Sequence, residues 1–158
     1  MGPMVSDVQH GRVKNYLKCG LEEGARALTG GSAPDGRGYF VNPTVLVDTK
    51  PDMKVVREEI FGPVLVAIPF KEVDDKLIAT ANDTIYGLAA GVWSRDIGRV
   101  HKVAGELRAG TVWINTYGYT DVRLPWGGSG DSGLGREHGD AAIENFTEPK
   151  AIWLSLRS

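Results

Sequence analysis

Residues 88–114, LAAGVWSRDIGRVHKVAGELRAGTVWI, form the stretch that decides the fold class. Residues 88–93 and 111–114 are short apolar runs of the kind that predicts strands. Between them, apolar residues recur at helical spacing: Ile97, Val100, Ala104 and Leu107. A strand, a helix of about ten residues and a second strand predict two parallel strands joined by a right-handed crossover.

The same alternation continues on both sides of this stretch. Helical spacing recurs in residues 6–23, 51–57 and 73–81, and strand-like runs lie at 26–28, 39–47 and 64–68. Residues 115–139 are rich in glycine, and a short helix at 141–145 and a strand at 151–156 are expected to follow. The prediction is an α/β fold: a parallel, doubly wound sheet with flanking helices in residues 1–120, and a glycine-rich loop with a terminal strand in residues 121–158.

Composition excludes several classes of function. The 158 residues are 42% hydrophobic and 24% charged, with a net charge of −2, which favours a globular chain without a nucleic-acid or membrane-surface partner. One cysteine cannot form an internal disulfide, so a reducing compartment is expected. No apolar run approaches the roughly 20 residues of a membrane span, and the N-terminus lacks a secretory signal. The expected location is the cytoplasm.

The stretch EEIFGPV, residues 58–64, contains a candidate binding motif. If the segment is extended, Glu59 and Phe61 point to the same side, since side chains alternate along a strand. The carboxylate could then accept hydrogen bonds from two vicinal ribose hydroxyls while the ring packs against an adjoining nicotinamide. The alternative from residue types alone is a surface acid beside a core phenylalanine.

These residues and several other stretches resemble the aldehyde dehydrogenase family. The stretches are EEIFGPV (58–64), GPMVS (2–6), GYFVNPT (38–44), NDTIYGLAA (82–90), GTVWIN (110–115) and GGSGDSGLGRE (127–137). The resemblance implies that Glu59 holds the nicotinamide ribose of NAD or NADP and that Phe61 contacts the nicotinamide. It also implies an enzyme in which a cysteine thiolate attacks a small aldehyde, hydride passes to nicotinamide and water releases the carboxylic acid.

Further roles come from the same resemblance. Arg136 and Glu148 are expected in ion pairs at subunit contacts, and Glu137 in a proton relay or a structural role, whereas solvated surface charges are the alternative for all three. Trp126, Tyr117 and Tyr119 are expected at the mouth of the aldehyde tunnel. The sequence PWGG (125–128) resembles betaine-aldehyde-type members, so these rings could bind a cationic head group, although Trp126 could equally be ordinary packing.

The family's nucleophile is missing from this chain. Cys19 lies in YLKCG on the first predicted helix, outside any Gly-Gln-x-Cys setting, and is expected to be a structural thiol. His10, His101 and His138 lack metal-ligand spacing, so no metal is expected. The resemblance therefore implies the later part of a catalytic domain, in residues 1–120, and an oligomerisation segment, in 121–158, whose last strand joins a neighbouring subunit of a homo-oligomer. Such a chain is expected to be inactive alone.

Two other interpretations remain open. The chain could be a non-catalytic binding or assembly module that retains the fold. Alternatively, Gly128, Gly130 and Gly133 match G-x-G-x-x-G with Glu148 beyond them, the pattern of a dinucleotide-binding fingerprint. A tight glycine loop packed against something bulky is the preferred interpretation of that run, because no strand directly precedes it. The family usually carries Lys at the position of Gly130, so any contact of that Lys is not expected here.

Overall fold

The computed structural model describes residues 1–156. The chain divides into two compact units, one covering Met1–Lys71 and the other beginning at Glu72. No helix within the described residues is both long and apolar enough to cross a membrane.

The first unit packs two helices on a three-stranded sheet. Helix α1 spans Asp7–Glu22 and α2 spans Lys54–Arg57; strands β1, β2 and β3 span Arg26–Thr29, Thr44–Val47 and Val64–Val66. The strand order is β1-β2-β3. The Ser6 side chain caps α1 by accepting a hydrogen bond from the Gln9 backbone N–H at 3.2 Å. The core of this unit forms around the fully buried Val13 and Leu46.

The prediction of an entirely parallel sheet is wrong for β1. Strand β2 runs parallel to β3, with Thr44 opposite Val64, but β1 runs antiparallel to β2. The physical reason is the connection: residues 30–43 contain no helix, so the chain reverses through a loop instead of making a crossover. The strand expected over residues 39–47, with an interruption at Pro43, is present only after that proline, from Thr44.

The second unit contains the predicted strand–helix–strand segment. Helix α3 spans Asp75–Ala81, β4 Ala89–Val92, α4 Ile97–Glu106 and β5 Thr111–Ile114. Strands β4 and β5 are parallel, with Ala89 opposite Thr111, which confirms the βαβ prediction. The described strands form two separate small sheets, one in each unit, where a single doubly wound sheet was predicted.

The end of the chain is helical only in short pieces. Gly130–Ser132 and Asp140–Phe146 are 3₁₀ helices, the latter at the place of the predicted short helix. Residues 151–156 form no strand, and Ile152, Trp153 and Leu154 are 84%, 95% and 81% exposed. A strand needs a neighbouring edge with which to exchange backbone hydrogen bonds, and within the described chain β1 to β5 pair only among themselves. The oligomerisation strand stays a prediction.

Candidate functional site

The segment that carries Glu59 and Phe61 is exposed, but its backbone is not uniformly extended. Ile60 is buried, whereas Glu59 and Phe61 on either side of it are exposed, Phe61 to 75%. The φ angle of Phe61 is 53°, in the left-handed region that bulky residues rarely occupy. The extended geometry assumed from the sequence is therefore wrong at Phe61, although both side chains are open to solvent.

Side chains of helix α1 hold this segment by hydrogen bonds to the backbone of the segment. The Gln9 side-chain amide donates to the carbonyl oxygens of Ile60 at 3.2 Å and Phe61 at 2.8 Å. One turn further on, the Arg12 guanidinium donates to the carbonyl of Glu59 at 3.1 Å. These two side chains, three positions apart, lie on one face of the helix. Residues about 50 positions later in the chain are thus fixed by the first turns of α1.

A third contact from the same face holds the beginning of the segment. The hydroxyl of the buried Tyr16 donates to the Glu58 carboxylate at 2.8 Å. The Arg12 guanidinium lies 5.6 Å from the centre of the Tyr16 ring, and contact with Tyr16 is the main reason why the pKa of Arg12 is raised. At the other end, a Cβ on Gly62 would lie only 2.6 Å from the Val13 side chain, so glycine permits the close approach of α1.

In the second unit, Trp113 of β5 is the centre of an aromatic cluster. Its ring centroid lies 4.7 Å from that of Tyr117 and 6.0 Å from that of Trp126, and Tyr117 in turn stacks on Trp93 at 6.5 Å. The buried Trp113 indole N–H donates to the carbonyl of Tyr119 at 2.8 Å. The structure therefore brings together all three residues predicted for the tunnel mouth, around a tryptophan to which no role was assigned.

An open cleft of about 450 Å³ lies against this cluster, lined among others by Trp113, Tyr119 and Trp126 together with Asp121 and Leu124. The Asp121 carboxylate also accepts hydrogen bonds from the side chain and backbone of Arg123, which lower its pKa. The Arg123 guanidinium already pairs with this carboxylate, so the rings that line the cleft, and not the Asp121 charge, are the groups that could contact a cation.

The glycine run from Gly127 to Gly133 is a tight loop held to neighbouring backbone. The N–H of Ser129 donates to the carbonyl of Gly87 at 3.0 Å, and that of Asp131 to the carbonyl of Ile85 at 2.8 Å. Gly110 lies directly against the carbonyl of Gly127, which leaves no room for a Cβ. The expected tight loop is present, and it packs both against other backbone and, at Gly127, against the Arg136 side chain, whose Cδ would lie 3.2 Å from an added Cβ. No strand directly precedes it and no long helix follows it, unlike a dinucleotide-binding fingerprint.

Arg136 holds this loop from within the chain. Its guanidinium donates to the carbonyls of Gly128 and Gly135, each at 2.7 Å. The next residue, Glu137, exchanges two backbone hydrogen bonds with Trp126, at 2.6 and 2.7 Å. The Glu137 side chain is exposed, as is Glu148. Arg136 and Glu137 line a second open cleft, of about 680 Å³. The subunit contacts of Arg136 and Glu148 stay predictions, as does the catalytic role of Glu137.

Cys19 has the environment of a structural thiol. Desolvation raises its pKa, and the hydrogen bond from its Sγ to the Glu23 carboxylate, at 3.5 Å, raises it further. A catalytic thiolate needs the opposite shift. Within residues 1–156, no group of three or more His, Cys, Asp or Glu side chains is arranged to hold a metal ion.

Sequence reasoning missed Gln9, Arg12, Tyr16 and Trp113. A signal for the first three existed, because they share the helix face of the apolar Val13 and so could not all face solvent. Nothing in the sequence indicated their partners, which lie more than 40 positions away.

Comparisons with known proteins agree with these features. The model of the aldehyde dehydrogenase family matches residues 1–152. The structure of an aldehyde dehydrogenase from Bacillus cereus in complex with NAD+ is 48% identical, with a TM-score of 0.93, over 99% of this chain and 32% of that one. One from Mycobacterium tuberculosis, also with NAD+, is 42% identical, with a TM-score of 0.91, over 100% and 33%. A betaine aldehyde dehydrogenase of Agrobacterium fabrum is 46% identical over 98% of this chain and 32% of its own length. The chain thus spans about a third of these relatives.

Proposed function

The chain belongs to the aldehyde dehydrogenase family, and on that premise we propose that it supplies part of the active site of an enzyme that oxidises an aldehyde to a carboxylic acid with NAD or NADP. The observation that carries the proposal is the exposed pair Glu59 and Phe61 on a backbone segment pinned by α1. Solved relatives were obtained with NAD+ bound. Bound NAD or NADP would accept the hydride that the aldehyde loses.

The residues present fit the nicotinamide end of such a cofactor. The exposed Glu59 carboxylate has acceptor oxygens for two ribose hydroxyls, since the hydrogen bond from Arg12 reaches its backbone carbonyl and the nearby Arg12 charge acts on the carboxylate only through space. The exposed Phe61 ring offers an apolar face to the nicotinamide. Their role is to hold and orient the ring that receives the hydride, which is catalysis by positioning.

The aromatic cluster of the second unit is proposed as part of the substrate-tunnel wall. Trp126, Tyr117 and Tyr119 would present ring faces to an aldehyde with a cationic head group. Betaine aldehyde dehydrogenases among the relatives support this substrate class. A panel of aldehydes assayed with the full-length enzyme tests it: equal turnover of betaine aldehyde and uncharged aldehydes would contradict it.

The chemical step needs a nucleophile that Cys19 does not provide, because its thiol keeps its proton more firmly than a free cysteine. We therefore propose that residues 1–158 alone are inactive, with 1–120 forming the later part of a catalytic domain. Residues 121–158 would form the glycine-rich loop and the oligomerisation segment. Glu137, beside the second cleft, is the proposed proton-relay or structural carboxylate.

Assembly is proposed to occur through the end of the chain. Ile152, Trp153 and Leu154 expose apolar surface that a strand pairing with a neighbouring subunit would cover. Arg136 and Glu148 are proposed to contribute at the same subunit contacts. The expected product is a homo-oligomer.

A chimeric enzyme tests the cofactor role. This chain would replace the matching third of the Bacillus cereus enzyme, and Glu59→Gln would be compared with Asp52→Asn, an exposed acid of the same unit. Loss of charge-assisted hydrogen bonds from ribose, worth about 1.5–3 kcal/mol, should raise the KM for NAD by roughly 10- to 100-fold. Asp52→Asn should leave it unchanged. An unaltered KM for NAD in Glu59→Gln would refute the cofactor role, and an inactive chimera with the unsubstituted chain would favour the non-catalytic module.

A further inference from the structure

We propose that Gln9 is a positioning residue that holds Phe61 in its left-handed conformation and thereby directs the Phe61 ring toward the nicotinamide. The contact of Phe61 with nicotinamide rests on the proposed function. The effect of Gln9 on the Phe61 conformation rests on the structure alone. The Gln9 amide nitrogen donates to two successive carbonyls, of Ile60 at 3.2 Å and of Phe61 at 2.8 Å, on both sides of the Phe61 α-carbon.

Phe61 needs such a partner. A bulky residue with φ of 53° is a local strain that persists only where surrounding contacts over-determine it. The ring itself is 75% exposed, so packing of the side chain contributes little to its direction. Since the backbone sets the direction of the Cα–Cβ bond and limits the rotamers that are open to the side chain, the backbone contacts of residues 60 and 61 restrict where the ring can point.

Gln9 is well placed to act as this partner, because its own backbone is fixed. Its N–H is bound by the capping hydroxyl of Ser6, so the side chain projects from the rigid first turn of α1. The neighbouring residues of the segment are held independently, Glu58 by Tyr16 and Glu59 by Arg12. Removing the Gln9 amide should therefore release Phe61 without detaching the segment or unfolding the unit.

The conformation is tested by nuclear magnetic resonance on the 158-residue chain. A left-handed residue has an unusually short distance between its own amide and α protons, so Phe61 should show a strong intraresidue cross-peak. Gln9→Met keeps the approximate length and neutrality of the side chain but removes both donors, and should weaken the Phe61 cross-peak to the level of its neighbours. Gln9→Lys, which restores donors, should retain it, as should Lys14→Met, an exposed position of the same helix. A strong Phe61 cross-peak in Gln9→Met would overturn the proposal.

The functional consequence is tested in the chimeric enzyme. Gln9→Met should raise the KM for NAD about tenfold and leave the KM for the aldehyde within about twofold, with recovery in Gln9→Lys. A general loss of stability would not raise the KM for NAD while leaving the KM for the aldehyde unchanged. If Glu59→Gln raises the KM for NAD and Gln9→Met does not, Gln9 is not a positioning residue and the proposed function stands. If neither substitution changes it, the proposed function itself fails.

Discussion

Replacing Arg136 by methionine should open the glycine loop of the second unit. In the structure the guanidinium donates to the carbonyl of Gly128, inside the loop, and to that of Gly135, which follows the loop, each at 2.7 Å. Methionine keeps much of the apolar stem of arginine but has no donor. The variant therefore removes both hydrogen bonds with little change in packing.

The two lost hydrogen bonds contribute differently to the stability of the closed loop. A hydrogen bond from a charged donor contributes about 1.5–3 kcal/mol, and less where water can replace the donor. Gly135 is exposed, so its carbonyl can be hydrated, whereas Gly128 is buried and its carbonyl would lose its partner. We estimate a net loss of about 2 kcal/mol, mainly at Gly128, which corresponds to an approximately 30-fold larger open population of the loop.

Amide hydrogen exchange measures this population directly. The N–H groups of Ser129 and Asp131 are bound to the carbonyls of Gly87 and Ile85, and they exchange when the loop opens. In Arg136→Met both should exchange about 30-fold faster. Arg123→Met is the matched control, because the Arg123 side chain is 84% exposed and pairs with Asp121. Exchange at Ser129 and Asp131 that matches the unsubstituted chain would show that Arg136 does not hold the loop, and would leave the predicted subunit contact as its role.

Three further predictions follow from burial and exposure. Leu46→Ala should lower the free energy of unfolding of the first unit by about 2–5 kcal/mol in urea titration, because Leu46 is fully buried; a loss below about 1 kcal/mol would contradict the described core. The rate of Cys19 alkylation should have its pH midpoint at a higher pH in the folded chain than in the urea-unfolded chain, because folding raises the pKa of the thiol. Any stability that the protonated thiol contributes is present at low pH and is lost as the pH rises through the folded pKa. Trp153→Lys should shift the chain toward monomer in sedimentation velocity, and unchanged association would exclude a role of residues 151–156.

Local patterns account for the parts of the fold that were predicted correctly. The strand–helix–strand segment, α1 and the short helices depend on hydrophobic spacing and on neighbours a few positions apart, both of which are visible in the sequence. The antiparallel β1 was missed, because strand direction depends on whether the intervening loop makes a crossover. Hydrophobic periodicity within a strand does not indicate the direction in which the strand runs relative to its neighbour.

The candidate site, like the fold, has features that the sequence predicted and others that depend on tertiary contacts. The sequence by itself determined the family and pointed to Glu59, Phe61, Trp126 and Arg136, because motif identity is a property of consecutive residues. Only the tertiary structure decided that Phe61 is left-handed under the Gln9 amide and that Arg136 binds loop carbonyls. It alone also placed Trp113 at the centre of the aromatic rings. The physical reason is that each arrangement depends on a hydrogen bond or ring contact that forms only on folding. Such contacts also allow the backbone to keep a strained conformation, as at Phe61.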